Sequence, residues 1–172
     1  MKKIFTRAFV PMLLLTAGSY AHTASAGIID LSGKDSDGTP NTFIYNESQT
    51  GSLDSISFDL NVEHFGGSWG AETRISLTHE SGFDIEFEGD TDFGWGTTAG
   101  LYNFVGDFAI AGGPANASGV WTVSLYDSFD DTGVDSTFGA GSTVTLNITD
   151  VPEPGIIGIL GLGLFAMRRR FT

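Results

Sequence analysis

The chain has 172 residues, no cysteine, 24 glycines and 14 phenylalanines. Lacking cysteine, it is neither a disulfide-stapled mini-fold nor a thiol enzyme. Between Gly27 and Val151 only Lys34 and Arg74 are basic, against 20 of the 21 acidic residues, so this segment carries about −18, repels phosphate backbones and excludes nucleic acid as a partner.

Residues 1–26 read as a secretory signal peptide. Lys2, Lys3 and Arg7 are its positive start and Phe9 to Ala17 its apolar core. Ala24-Ser25-Ala26 supplies the small residues that signal peptidase requires, which places the mature start at Gly27.

Residues 27–150 read as one domain of β-strands and turns. Ile28, Ile29 and Leu31 mark a first strand, Asp35 to Gly38 a turn, and Thr42 to Asn46 a second strand. From Ser55 to Glu63 the residues Ile56, Phe58, Leu60 and Val62 alternate with polar ones, the mark of a half-buried strand. Gly66 to Gly70 is a loop. Arg74 to His79 and Phe83 to Glu88 alternate again. Gly89 to Gly100 is a loop, and Leu101 to Val105 and Asp107 to Ile110 predict two short strands. After a loop over Gly112 to Gly119, Val120 to Tyr126 is a strand with Trp121, Val123 and Leu125 facing the core. Asp127 to Gly141 reads as an acidic loop and Thr143 to Ile148 as the closing strand. Eight or nine short strands with no helical period predict an all-β, jelly-roll-like sandwich.

Residues 151–172 have a fixed order: Pro152-Glu153-Pro154, an apolar run from Gly155 to Met167, then Arg168-Arg169-Arg170. The prolines hold their neighbours extended, a form that a peptidase can bind. The apolar run can form a helix in lipid, with the arginines retaining their end in the cytoplasm. Thirteen residues of helix reach about 20 Å against a hydrocarbon core of about 30 Å, which fits a transient anchor better than a permanent one. This tail resembles the PEP-CTERM sorting signal of Gram-negative bacteria. The resemblance implies recognition of Pro152, Glu153 and Pro154 by the membrane-embedded exosortase, a transient transmembrane anchor, and a membrane stop at Arg168, Arg169 and Arg170. It further implies an inner-membrane stage with the domain in the periplasm, then release to the cell surface or matrix.

Gly119-Val120-Trp121-Thr122-Val123-Ser124-Leu125-Tyr126-Asp127, followed by Asp131-Thr132-Gly133, is similar to the closing part of the proprotein convertase P domain. The strand Ile56 to Val62 with His64 is similar to an earlier strand of that family. The resemblance implies a jelly-roll sandwich. The last strand lacks that family's tryptophan and no convertase catalytic domain is present, so the convertase role does not carry over.

Within the domain, four features bear on chemistry. Gly66-Gly67-Ser68-Trp69-Gly70 contains G-x-S-x-G, but a nucleophile elbow needs a following helix that the sequence does not offer. His64 and His79 have acidic neighbours but no tight zinc spacing. Asp127, Asp130, Asp131 and Asp135 crowd one loop and Asp35 and Asp37 another; such clusters serve either as calcium ligands or as solvated turns. Trp69, Phe93 and Trp95 lie in glycine-rich loops, where aromatic rings either stack on sugars or tuck over the ends of the sandwich. The expected role is non-enzymatic: a structural or adhesive component of exopolysaccharide or biofilm. The alternative is a secreted carbohydrate-binding module, with or without calcium, and a secreted hydrolase ranks last.

Overall fold

The computed structural model describes residues 24–130 and 133–150. The predicted signal peptide up to residue 23, Asp131, and the sorting motif, anchor and arginine stop over residues 151–172 lie outside the described residues. Among the described residues no helix is long and apolar enough to cross a membrane.

Two antiparallel sheets face each other. The first carries β1 (Ala24–Asp30), β10 (Thr143–Thr149), β4 (Ser52–His64), β9 (Ser136–Phe138) and β2 (Asp35–Ser36) in that spatial order, with β7 (Gly100–Ala109) on the other side of β4. The second runs β3 (Asn41–Glu47), β8 (Gly119–Asp127), β5 (Thr73–His79), β6 (Asp84–Glu88). A short 3₁₀ turn, Gly70–Glu72, leads into β5. The alternation in the sequence dictates which face is inward, because successive strand side chains point to opposite sides. Ile56, Phe58, Leu60 and Val62 of β4 are buried, as are Trp121, Val123 and Leu125 of β8 and Val144, Leu146 and Ile148 of β10.

Four expectations are corrected. The two short strands predicted around Gly106 are one ten-residue strand, β7, which pairs with β4 along Ser55 to His64. Gly106 does not break it. The Phe104 ring lies over Gly106, and a Cβ there would come within 2.5 Å of that ring. The acidic loop Asp127 to Gly141 contains β9, and the turn at Asp35 contains β2; the two pair through Asp35–Thr137 and Ser36–Ser136. Third, the count of eight or nine strands becomes ten among the described residues. Fourth, Phe93 and Trp95 are not open to solvent. Phe93 packs on Phe58, Phe104 and Trp95, and Trp95 on Tyr102 and His64, so the loop between β6 and β7 adds to the core. Burying such large rings outweighs leaving them in water by about 1.5–3 kcal/mol each.

The ends of the domain meet. Ala24 of β1 pairs with Thr149 of β10, and Asp30 with Thr143. Ala24, Ser25 and Ala26, which precede the predicted mature start, form the first three positions of that strand. Thr149 in turn lies opposite Ser52, at the start of β4, while His64 ends β4 at the other pole.

Candidate functional site: an aromatic cleft over a buried polar network

At the His64 pole, strand ends converge on a set of polar groups that the core almost wholly encloses. Asp127, at the end of β8, is 2% exposed. Its carboxylate accepts hydrogen bonds from Ser36 Oγ at 3.1 Å and from Ser68 Oγ at 2.8 Å. Ser36 also shares a 2.5 Å hydrogen bond with Ser136 across the β2–β9 pair. Burial pushes the Asp127 carboxyl above the usual carboxylate range, and the Ser68 and Ser36 hydroxyls offset part of that.

His64 joins the same network. Its Nδ1 lies 3.4 Å from Ser68 Oγ and its Nε2 3.1 Å from Thr73 Oγ1. The single Ser68 hydroxyl proton is directed to Asp127, so Ser68 accepts from Nδ1–H. Thr73 Oγ1 faces both Nε2 and the Asp127 carboxylate. Burial lowers the His64 pKa from 6.5 to about 4, which favours the neutral imidazole.

Serine, histidine and aspartate thus meet here without the geometry of nucleophilic catalysis. The serine proton points at the carboxylate, whereas a triad needs it on the imidazole, with the carboxylate on the far ring nitrogen. Ser68 is fully buried, so no substrate carbonyl can approach it. The G-x-S-x-G string is a turn: Ser68 N–H donates to the Phe65 carbonyl, and Gly66 has φ +60, a conformation that favours glycine.

His79 sits apart from this network. Its Nε2–H donates to the Ser118 carbonyl at 3.2 Å, its Nδ1 accepts from Ser81 at 2.8 Å, and its ring packs on Trp121 with centroids 4.8 Å apart. Both histidines are therefore committed to packing and local hydrogen bonds, not to a shared zinc.

Next to the network, side chains that alternate outward line a cleft of about 320 Å³ formed by Gly67, Trp69, Glu72 and Phe129. Trp69 directly follows buried Ser68. Phe129 follows buried Asp127 by two residues. Trp69 is 43% and Phe129 61% exposed. The walls are fixed by short bonds. Glu72 Oε2 accepts from Trp69 N–H at 3.0 Å, and Ser128 N–H donates to the Glu72 carbonyl at 2.8 Å. Of the three predicted stacking aromatics, Trp69 alone lies at this opening. Phe129 was not singled out, although a phenylalanine flanked by Ser128 and Asp130 is the pattern of an exposed ring.

The predicted calcium set is only partly assembled. Asp130 and Asp135 come together with Asp37, one carboxylate oxygen from each lying within 4.8 Å of the others. These three residues could hold a cation. Asp127 does not join them, because Ser36 and Ser68 engage its two oxygens. Asp37 joins because the two loops touch: a Cβ on Gly38 would fall 2.2 Å from the Asp130 Cβ.

The described residues thus form a single all-β sandwich, closed by its own loop aromatics and bearing one open aromatic cleft at the pole described. The delivery signal lies beyond it: residues 150–170 match the family model for the PEP-CTERM protein-sorting motif. The chain is that of an exported protein, sorted through a membrane-anchored stage and processed by exosortase. No curated protein has a sequence that matches this one. Among solved structures the domain is similar to part of the serine protease of Aeromonas sobria in complex with its chaperone ORF2. The TM-score there is 0.49 at 10% identity, over 76% of this chain and 27% of that one. The same protease without the chaperone gives 0.43 at 12% identity, over 74% and 26% of the two chains. Dimeric latent PorU from Porphyromonas gingivalis gives 0.39 at 12% identity, over 75% and 13%. This chain therefore spans about a quarter or less of each of these proteins.

Proposed function

We propose that the protein is a structural or adhesive component of the cell surface or exopolysaccharide matrix, delivered there when exosortase removes its C-terminal anchor. The observation that carries this reading is the sorting motif at residues 150–170, which begins directly after β10. A strongly acidic sandwich with a closed core suits a protein that must stay soluble outside the cell. In this reading signal peptidase cuts before Gly27, the domain stands in the periplasm on its anchor, and the released product reaches the surface. The role is non-enzymatic, and the occlusion of Ser68, His64 and Asp127 supports that view.

The test is intact mass and cell fractionation of the protein from its own cells, with and without alanines at Pro152, Glu153 and Pro154. The expected wild-type product lies outside the cell and lacks the tail, while the variant stays in the membrane at greater mass. If both forms stay in the membrane with the tail intact, the motif is an anchor only and the matrix role loses its support. The second reading, a carbohydrate-binding module, is favoured by the open cleft between Trp69 and Phe129.

A further inference from the structure

We infer that the Trp69–Phe129 cleft binds a pyranose chain bearing free amino groups, that is, a cationic polyhexosamine. The inference deepens the carbohydrate-binding reading and rests on it for the kind of polymer.

Apolar rings left in water are costly. Among the described residues eight large hydrophobic side chains are exposed, and four of them, Phe65, Trp69, Phe129 and Val134, lie on just two loops. Such clustering marks a binding surface, whereas scattered single residues mean little. These loops are held to each other. Phe65 N–H donates to the Asp135 carbonyl at 2.9 Å, Ser128 N–H to the Glu72 carbonyl at 2.8 Å, and Ser68 Oγ to Asp127 at 2.8 Å. The buried network is thus a foundation that presents Trp69 and Phe129 in fixed positions, so little ordering cost falls on binding.

A cleft of about 320 Å³ is at the small end of ligand sites, which run from about 300 to 1,000 Å³. It suits one or two sugar rings. A pyranose offers a flat C–H face to an indole or phenyl ring and polar groups at its rim. A lysine-rich peptide offers only a thin stem.

None of the four lining residues is basic, and Glu72 contributes a carboxylate. The lysine and the arginine among the described residues are each held by other groups of the domain. Lys34 sits 4.8 Å over the Phe43 ring, and Arg74 bonds the Ala71 and Thr73 carbonyls and lies 3.9 Å from Glu88. Asp130 adjoins Phe129. An acidic polysaccharide would be repelled from such a site. An ammonium group gains both from the carboxylate and from the faces of aromatic rings.

The experiment titrates the exported protein, isolated from its own cells, with a chitosan oligosaccharide. The same chain in N-acetylated form, a neutral glucan oligomer and polylysine serve as comparisons. Tryptophan fluorescence and calorimetry report binding. The expected result is binding of the chitosan chain, weakened at least about tenfold by Trp69→Ala and by Phe129→Ala. Glu72→Gln retains an oxygen for the Trp69 N–H but removes the charge; it should weaken the chitosan chain and leave the N-acetylated one unchanged. Circular dichroism confirms that each variant is folded, and these surface positions make that outcome expected. Equal affinity in wild type and Trp69→Ala, or no binding at all, overturns the site. Tighter binding of the neutral chains overturns the amino-group assignment, and polylysine binding of equal strength overturns the sugar. Sorting is read by mass and location, so failure here and failure of the export reading are separate results.

Discussion

Replacing His64 with glutamine tests whether the buried network holds a neutral imidazole. His64 is 3% exposed, and burial takes its pKa from 6.5 down to about 4. The folded state therefore refuses a proton that the unfolded chain accepts below about pH 6.5. Stability from this residue is fully present above the unfolded value and is lost as the pH falls toward the folded one. The whole interval corresponds to about 3 kcal/mol. Asp127 acts in the opposite sense. Its carboxyl is raised by burial, so ionisation costs the folded state, and acid relieves that cost. The difference between wild type and His64→Gln, measured on both the Asp127 and the Asp127→Asn backgrounds, isolates the histidine. Urea unfolding at steps from about pH 7.5 to 4 gives the free energies. At neutral pH the variant should be less stable by about 1–3 kcal/mol, because it leaves buried hydroxyls without their imidazole partner. That gap should close, then reverse, as the pH falls. Parallel curves for the two proteins would refute the reasoning, since they would show no difference in proton uptake at His64.

Two further perturbations probe the core and the acidic cluster. Phe58 packs edge-on against Phe87 at 4.7 Å and Phe93 at 5.3 Å, bridging the sheets beneath the loop that carries Trp95. Phe58→Ala should cost about 3–5 kcal/mol in chemical denaturation, and a loss under about 1 kcal/mol would show that the aromatic cluster does not close the core. Asp37, Asp130 and Asp135 bring like charges within 4.8 Å of one another. Asp130→Asn should raise the melting temperature at low ionic strength and gain less in high salt, so a lowered melting temperature in metal-free buffer would contradict the repulsion.

Long alternating stretches were legible because a half-buried strand writes its two faces into every second residue. Ile56 to Val62 and Val120 to Tyr126 show this plainly, and the tail motif was readable as a string of residue types. What was hidden depended on partners distant in sequence. β2 and β9 are two and three residues long, and Ser36 is strand-like only because Ser136 and Asp127 bond it. Gly106 read as a break because its reason, the ring of Phe104, is a matter of side-chain placement. Trp69 and Trp95 look alike in sequence, each between glycines or polar residues. One caps a turn at the surface and the other fills the gap between β7 and the second sheet. The cleft was half visible: Trp69 could be named, but Phe129 comes to it through the Ser128–Glu72 bond between loops more than fifty residues apart.

The antiparallel placing of β10 against β4 has a mechanical meaning. Thr149 leaves the sandwich beside Ser52, while His64 and the cleft occupy the far end of the same thirteen-residue strand, roughly 40 Å away. A load held at the cleft and drawn through the chain beyond Asp150 runs along the strand axes. β10 is flanked on both sides, by β1 and by β4, and all of those ladder bonds are then strained together in shear instead of opening one after another. A domain wired this way resists tension best along the line from its cleft to Asp150.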